Sequence, residues 1–125
     1  MTSAPGQRVV LVVEDNASMR ALIRSVVSES GSAVYECQDG ETAIGLYDEL
    51  HPDWVLMDIR MGGMDGIAAT RAIRLTNPDA RVIIVTDHGD PQSRAAAMAD
   101  GATGFVLKEN LLELPALLAG ARGDG

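Results

Sequence analysis

The sequence has very little cysteine, histidine or aromatic content, and it lacks any long hydrophobic run. The single cysteine, Cys37, cannot form an internal disulfide, and two histidines, His51 and His88, make a zinc site improbable. The longest aliphatic runs, Val9–Val13 and Val82–Val85, are far shorter than the roughly 20 residues of a membrane helix, and no signal peptide is evident. We therefore expect a cytoplasmic protein of a reducing compartment that does not associate with a membrane.

Positive charge is also scarce. The chain has 10 basic and 18 acidic residues, for a formal net charge of −8. This balance disfavours a surface that neutralises phosphates, so we expect no nucleic-acid binding by this chain alone. Apolar residues make up 46% of the 125 residues, which is enough for the core of one compact domain and argues against disorder.

Short apolar runs alternate with helical patterns along the chain. The runs predict five strands: Val9–Val13, Ala33–Cys37, Trp54–Met57, Val82–Val85 and Phe105–Leu107. Because these runs are continuously apolar, they are typical of a parallel sheet covered by helices on both faces. We predict an α/β fold, a doubly wound (βα)5 single domain with strand order 2-1-3-4-5.

Polar residues before the amphipathic stretches predict where the helices begin. Four of them are expected N-caps: Asn16, Asp39, Asp65 and Asp90, the last followed by Pro91. Asn110 with Glu113 three residues later resembles a capping box for the last helix. Pro115 falls early in that helix and is expected to delay its start or to kink it.

Polar side chains follow the predicted strands at the points where they end. Glu14 and Asp15 follow the first strand and Asp58 follows the third, while Thr86 and Lys108 end the fourth and fifth. In a 2-1-3-4-5 sheet the first and third strands are neighbours, so three carboxylates converge at the edge where ligands bind. Converging carboxylates need a cation, and a site of hard oxygen ligands suits Mg²⁺ or Mn²⁺. An Asp carboxylate facing such a metal can attack phosphorus and form an acyl phosphate.

Four segments carry a resemblance to a known family. They are VVEDN at 12–16, MDIRMGGMDG at 57–66, VT at 85–86 and GFVLK at 104–108. In order and position they resemble the receiver domains of two-component response regulators, over about Val9 to Leu118. The sequence around Asp58, and a lysine that is not followed by proline, are most similar to those of receivers of LuxR-type transcriptional regulators. The resemblance implies a flavodoxin-like fold and a receiver domain over 8–119. The composition of the two ends predicts an N-terminal tail at 1–7 and a C-terminal tail or linker start at 120–125.

The resemblance also implies roles for individual residues. Asp58 would be the phosphoacceptor, Asp15 a direct metal ligand, and Glu14 a ligand through water. The backbone carbonyl of Arg60 would complete the metal ligands. Other implied roles are a phosphoryl contact for Lys108, a switch for Thr86 and Phe105, and modulation of the chemistry for Arg60, Asp87 and His88. The implied partner is a sensor histidine kinase or phosphotransfer protein. The fourth helix, fifth strand and fifth helix are the expected output surface, for a homodimer or a partner domain.

Three positions depart from the family pattern. Gly62 replaces a usual proline, which should make the loop around it costlier to order by about 0.4–1 kcal/mol. Asp87 follows Thr86 where a small residue is more usual, so it can hinder an anionic donor or help to hold the metal. Glu109 replaces a proline whose peptide bond is commonly cis, and a cis bond is not assumed here.

Two other functions share some of these features with the signalling switch. A small Mg²⁺-dependent phosphatase with an aspartyl-phosphate generally has a second acid two residues after its nucleophile, where this chain has Arg60. An FMN-binding flavodoxin would carry a loop rich in Ser, Thr and Gly after the first strand, where this chain has Glu14, Asp15 and Asn16. A P-loop and a GxGxxG fingerprint are both absent. The sequence favours a phosphorylation switch that is not an enzyme in the usual sense.

Overall fold

Strands and helices alternate through the residues that the computed structural model describes, 6–87 and 89–120. The strands are β1 Val9–Val13, β2 Ala33–Cys37, β3 Trp54–Met57, β4 Val82–Thr86 and β5 Gly104–Leu107. The helices are α1 Ala17–Ser28, α2 Gly40–Leu50, α3 Gly66–Thr76, α4 Pro91–Ala99 and α5 Leu114–Gly120. A 3-10 helix, Lys108–Glu113, joins β5 to α5.

The strands form one parallel sheet. Within the described ranges it has five strands in the order β2-β1-β3-β4-β5, which confirms the predicted flavodoxin-like fold. In the register of β1 against its neighbours, Val13 pairs with Cys37 on one side and with Met57 on the other. The carboxyl ends of β1 and β3 are therefore level, and the residues that follow them lie side by side.

Both faces of the sheet are buried, as continuously apolar strands require. Alternate residues of β1 point to opposite faces, so that Leu11 and Val13 belong to one core and Val10 and Val12 to the other. The first core includes Ala43, Tyr47, Ala69, Ile73 and Ala97, from α2, α3 and α4. The second includes Ile23, Val27, Leu114 and Leu118, from α1 and α5. Cys37 is buried among apolar residues of the first core.

The predicted N-caps of the first four helices are confirmed. Asn16 accepts a hydrogen bond from the Met19 backbone N–H at 2.8 Å, and Asp39, Asp65 and Asp90 cap α2, α3 and α4 in the same way. Pro91 takes the first position of α4, where its missing N–H is not needed. Four helices thus begin at residues whose side chains fix the start locally.

The predicted capping box of the last helix is wrong. Asn110 lies inside the 3-10 helix with φ −120° and ψ 36°, and no side chain caps that helix. The first turn of an α-helix is the place where proline fits best, and α5 begins at Leu114, directly before Pro115. The expected delay in the helix start is confirmed, and the residues before it form the tighter 3-10 turn.

Some predictions fall outside the described residues, namely most of the tail at 1–7, nearly all of the tail or linker at 120–125, and His88. The domain bounds 8–119 stay a prediction. Every described peptide bond is trans, including the one between Lys108 and Glu109. No described helix has both the length and the apolar character to cross a lipid bilayer.

Candidate functional site

Three carboxylates meet at the carboxyl edge of the sheet. Glu14 and Asp15 follow β1, and Asp58 follows β3, whose end is tied to β1 by a hydrogen bond from the Asp58 N–H to the Val13 carbonyl at 3.1 Å. One carboxylate oxygen from each of Glu14, Asp15 and Asp58 lies within 4.8 Å of the others. Glu14 and Asp58 are buried, whereas Asp15 is exposed. The predicted convergence of these acids is therefore present in the fold.

Lys108 lies between the two buried acids. Its Nζ is 2.9 Å from Glu14 Oε1 and 3.2 Å from Asp58 Oδ2, and its side chain is only 9% exposed. The Nζ is also 4.0 Å from Oδ2 of Asp87, whose side chain is 69% exposed. The other carboxylate oxygen of Asp58, Oδ1, accepts a hydrogen bond from the Ile59 N–H at 2.9 Å. Asp58 is thus held from both sides in a fixed orientation.

Burial and ion pairing together shift the pKa values of Asp58, Glu14 and Lys108. Burial raises the pKa of Asp58 and of Glu14 above their usual values, and the nearby Lys108 only partly offsets this. Burial by itself would lower the pKa of Lys108, but its hydrogen bond to Glu14 and the charge of Asp58 outweigh that effect and raise it. The lysine is therefore firmly cationic, while each buried carboxylate is costly to ionise without further positive charge.

A cleft of about 280 Å³ opens above these groups. Its lining residues are Glu14, Asp15, Asn16, Met19, Asp58, Arg60, Thr86, Asp87 and Lys108. Thr86 is fully buried at the end of β4, whereas Arg60 and Asp87 are exposed at the rim. Apart from His88, the structure brings together every predicted residue of the chemical site.

The donor set fits a hard divalent cation. All of the convergent acidic ligands offer oxygen, which Mg²⁺ and Mn²⁺ prefer, and the cleft leaves space for water. Glu14 Oε1 is buried without a well-formed hydrogen bond, although the ammonium of Lys108 is close to it. A buried oxygen in this state is costly unless a cation or a water satisfies it.

Phe105 lies outside the cleft. It is half-buried in β5, and the guanidinium of Arg94 in α4 lies 5.4 Å from the centre of its ring. Phe105 pairs with Ile84 in the register of β4 and β5, two residues before Thr86. Side chains two residues apart on a strand share a face, so Thr86 and Phe105 face the same helical layer.

Gly66 is a site residue that the sequence analysis missed. A Cβ at this position would lie 1.8 Å from the carbonyl oxygen of Asp58, and the Gly66 N–H donates to the Ile59 carbonyl at 2.8 Å. The start of α3 therefore packs directly against the backbone of Asp58. The available signal was a glycine at the first helical position, where Asp65 already caps the helix and a better helix former would otherwise be expected.

Comparisons with known proteins agree with the fold. The family model for the response regulator receiver domain matches residues 10–119. The chain is 36% identical to the chemotaxis protein CheY of Halobacterium salinarum, over 79% of this chain and 82% of that protein. It is 33% identical to the regulatory protein AtoC of Escherichia coli over 79% of this chain, and it spans only 22% of that longer protein.

A solved structure is also similar over nearly the whole chain. It is a two-component response regulator of the LuxR family from Aurantimonas sp. SI85-9A1, with a TM-score of 0.83 and 34% identity. The match covers 92% of this chain and 87% of that one, which confirms the LuxR-type resemblance predicted from the motifs. The chain belongs to the family of response regulator receiver domains of two-component systems.

Proposed function

We propose that this receiver domain is a phosphorylation-dependent signalling switch. In this proposal Asp58 takes a phosphoryl group from the phosphohistidine of a sensor histidine kinase or phosphotransfer protein, with Mg²⁺ bound, and the change controls a downstream output. One observation carries the proposal: Asp58 Oδ2 lies 3.2 Å from Lys108 Nζ, beside carboxylate oxygens of Glu14 and Asp15. The proposed acceptor, a cation and a candidate set of metal ligands thus line one cleft.

Receiver domains bind Mg²⁺ at an acidic pocket, and the cluster of Glu14, Asp15 and Asp58 supplies such a pocket here. In the proposed arrangement Asp15 and Asp58 hold the ion directly, Glu14 holds it through water, and the backbone carbonyl of Arg60 completes the protein ligands. Mn²⁺ would be accepted by the same oxygens. The bound ion supplies charge neutralisation for the phosphoryl oxygens.

Phosphoryl transfer then follows from the position of the chain's own groups. A carboxylate oxygen of Asp58 forms a bond to phosphorus as the bond from phosphorus to the donor's histidine nitrogen breaks, and the donor imidazole leaves with that electron pair. Lys108 is close enough to turn from Asp58 toward a phosphoryl oxygen, because its Nζ is already 3.2 Å from the acceptor. The buried Thr86 hydroxyl lines the same cleft and can donate to another oxygen.

The switch couples this chemistry to the surface of α4, β5 and α5. Movement of Thr86 toward the phosphoryl group would vacate space on the face that it shares with Phe105, which then turns inward and leaves Arg94. A hundredfold change in the ratio of two conformations requires about 2.7 kcal/mol, which two or three charge-assisted contacts can supply. Phosphorylation would therefore select between two existing states of the domain.

In this proposal the downstream partner binds at the surface of α4, β5 and α5. Exposed apolar side chains occur there, Met98 on α4 and Leu117 on α5, and they could serve a homodimer or a partner domain. The similar protein AtoC is much longer than this chain, so an effector beyond the receiver is compatible with the proposal. Receiver domains are signalling domains rather than enzymes of the usual kind, and a cytoplasmic location is part of this proposal.

Two exposed residues at the rim of the cleft are proposed to modulate the lifetime or the rate of phosphorylation, Arg60 and Asp87. His88 has the same proposed role on the basis of its position in the sequence alone. No observation favours an aspartyl-phosphate phosphatase, since Arg60 stands where such an enzyme carries its second acid.

Intact-mass measurement after incubation with MgCl₂ and acetyl phosphate tests the proposal. The wild-type chain should gain the mass of one phosphoryl group, and the gain should disappear with EDTA and in Asp58→Asn. Asp48→Asn, an exposed position on α2 away from the cleft, is the control and should behave as wild type. An absent adduct, or one that survives in Asp58→Asn, would reject the proposal.

A further inference from the structure

We propose that Arg20 is a positioning residue for the acidic loop, residues 14–16 between β1 and α1, and this inference rests on the Mg²⁺ site proposed above. Arg20 lies in the first turns of α1 with a side chain that is only 16% exposed. Its Nη1 donates to the backbone carbonyl of Glu14 at 2.7 Å, and its Nε donates to Glu36 Oε1 at 3.2 Å. The guanidinium thus joins the loop after β1 to Glu36, near the carboxyl end of β2.

The carbonyl that Arg20 binds belongs to the peptide unit between Glu14 and Asp15. This unit is planar, so fixing its oxygen also fixes the Asp15 nitrogen and the direction in which the Asp15 side chain leaves the backbone. The other ties of the loop act on either side of this unit: the Glu14 N–H donates to the Cys37 carbonyl, and the Asn16 N–H donates to Glu14 Oε2. Arg20 is the side chain that sets the plane between the two acids.

Asp15 depends on this backbone support more than the buried acids do. Glu14 and Asp58 are each held by Lys108 and by a backbone N–H. Asp15 is exposed, and its carboxylate makes no hydrogen bond or ion pair with the described residues. Its orientation toward a cation is therefore set by the peptide plane that Arg20 holds.

Glu36 holds Arg20 in place, and its second arginine partner, Arg24, is a matched control position. The same carboxylate pairs with Arg24 one turn further along α1, and Arg24 is exposed and makes no hydrogen bond or ion pair with residues 14–16. Removing either arginine leaves Glu36 paired with the other and changes the net charge by the same amount. The two positions differ in the contact with the Glu14 carbonyl and in burial.

The sign of the effect separates positioning from simple charge. Removing a positive charge near three carboxylates should strengthen the binding of a cation if only Coulomb attraction matters. Losing the support of the peptide plane should weaken it, because an outer contact that orients a ligand typically affects metal affinity by about tenfold or more. We expect the loss of support to dominate, since Arg20 is itself already paired with Glu36.

The test is an NMR titration of the whole chain with MgCl₂ at constant ionic strength, following the amides of residues 14–16 and 58–60. Arg20→Met should raise the Mg²⁺ dissociation constant by roughly tenfold. The dissociation constant of Arg24→Met should stay within about twofold of the wild-type value. A purely structural role would lower the unfolding temperature of Arg20→Met without changing the dissociation constant of the folded protein. If Arg20→Met does not fold, Arg20→Lys, which keeps the charge but not the two-pronged contact, replaces it and should also weaken binding.

The outcomes distinguish the two levels of the proposal. Equal Mg²⁺ affinities in Arg20→Met and Arg24→Met, or tighter binding in Arg20→Met, would overturn the positioning role and leave the metal site intact. If the wild-type chain itself shows no Mg²⁺-dependent shifts at residues 14–16, the proposed metal site is wrong, and the role of Arg20 falls with it.

Discussion

Lys108 Nζ lies 3.2 Å from Asp58 Oδ2, although the two residues are 50 positions apart in the chain. The contact crosses the end of β4, because Asp58 follows β3 and Lys108 follows β5. The same ammonium also pairs with Glu14 Oε1, so one cation is shared by two buried carboxylates. The lysine therefore does in the metal-free protein part of the neutralisation that a bound cation would complete.

Replacing Lys108 should destabilise the fold in the absence of metal. Lys108→Gln leaves the buried carboxylates of Glu14 and Asp58 without their cation, and we expect the free energy of unfolding to fall by about 3 kcal/mol. Urea unfolding in EDTA measures this change. The control is Arg71→Gln, which removes a positive charge at an exposed position of α3. MgCl₂ should restore part of the loss, and a variant as stable as wild type in EDTA would show that the ammonium contributes nothing to the fold.

Replacing Asp58 with asparagine should have the opposite effect on stability, and the effect should depend on pH. Burial raises the pKa of Asp58 above its usual value of 3.8, so the folded state binds this proton more tightly than the unfolded chain. The stability that this proton contributes to the wild type is therefore lost as the pH rises from about 4 through the raised pKa. The neutral Asn avoids this loss. In EDTA, Asp58→Asn should be more stable than wild type near pH 7.

That gain should shrink as the pH falls toward the usual pKa of the carboxyl. Urea unfolding of both proteins across this range gives the difference directly, and groups that titrate equally in the two proteins cancel. MgCl₂ should stabilise the wild type more than the variant. A difference in stability that does not change with pH would mean that ionised Asp58 carries no penalty in the fold.

Neutralising Asp87 should speed phosphorylation by an anionic donor. Its exposed carboxylate lines the rim of the cleft, 4.0 Å from Lys108 Nζ, where it repels an incoming phosphate and competes for the ammonium. Asp87→Asn should raise the rate of adduct formation with acetyl phosphate by about twofold to fivefold at low salt. The gain should diminish as NaCl is added, because salt screens exposed charges.

The matched control for Asp87 is Asp48→Asn, the same chemical change at an exposed position of α2 outside the cleft. It should leave the rate unchanged. A slower reaction in Asp87→Asn, recovered by higher Mg²⁺ concentration, would instead assign Asp87 to the support of the metal.

Adding one methyl group at Gly66 should damage both the fold and the site. The new Cβ would meet the Asp58 carbonyl oxygen at 1.8 Å, and backbone cannot move aside as a flexible side chain can. We expect Gly66→Ala to cost about 3 kcal/mol of unfolding free energy and to slow phosphorylation of the folded fraction. Gly45→Ala is the control, since its Cβ would have nothing within 4 Å and should stabilise α2 by about 0.5–1 kcal/mol. Equal stability of the two variants would contradict the close packing at Asp58.

The fold was predictable because its signals are local. Continuously apolar strands such as Val9–Val13 and N-caps such as Asn16 each determine a short segment, and the order of segments then restricts the sheet. The last helix failed because two local signals conflict: Asn110 with Glu113 favoured a start that the fixed geometry of Pro115 moves to Leu114.

The convergence of Glu14, Asp15 and Asp58 was predictable because parallel strands end at one edge of the sheet. The contacts of Arg20 and Gly66 were not, because they depend on how a helix is placed against a loop. An arginine in an amphipathic helix usually faces solvent, and nothing in the sequence distinguishes Arg20 from Arg24. The same holds for the contact of Arg94 with Phe105, which joins two elements across the surface.

The central claim, that Asp58 carries the phosphoryl group, is tested most directly by mapping the adduct. After phosphorylation with acetyl phosphate and MgCl₂, borohydride reduces an acyl phosphate of aspartate to homoserine, which peptide mass spectrometry then locates. We predict homoserine at position 58 and at no other aspartate. Homoserine at Asp15 or Asp87 instead, or a phosphoryl group that resists borohydride and stays on a hydroxyl side chain, would contradict the account.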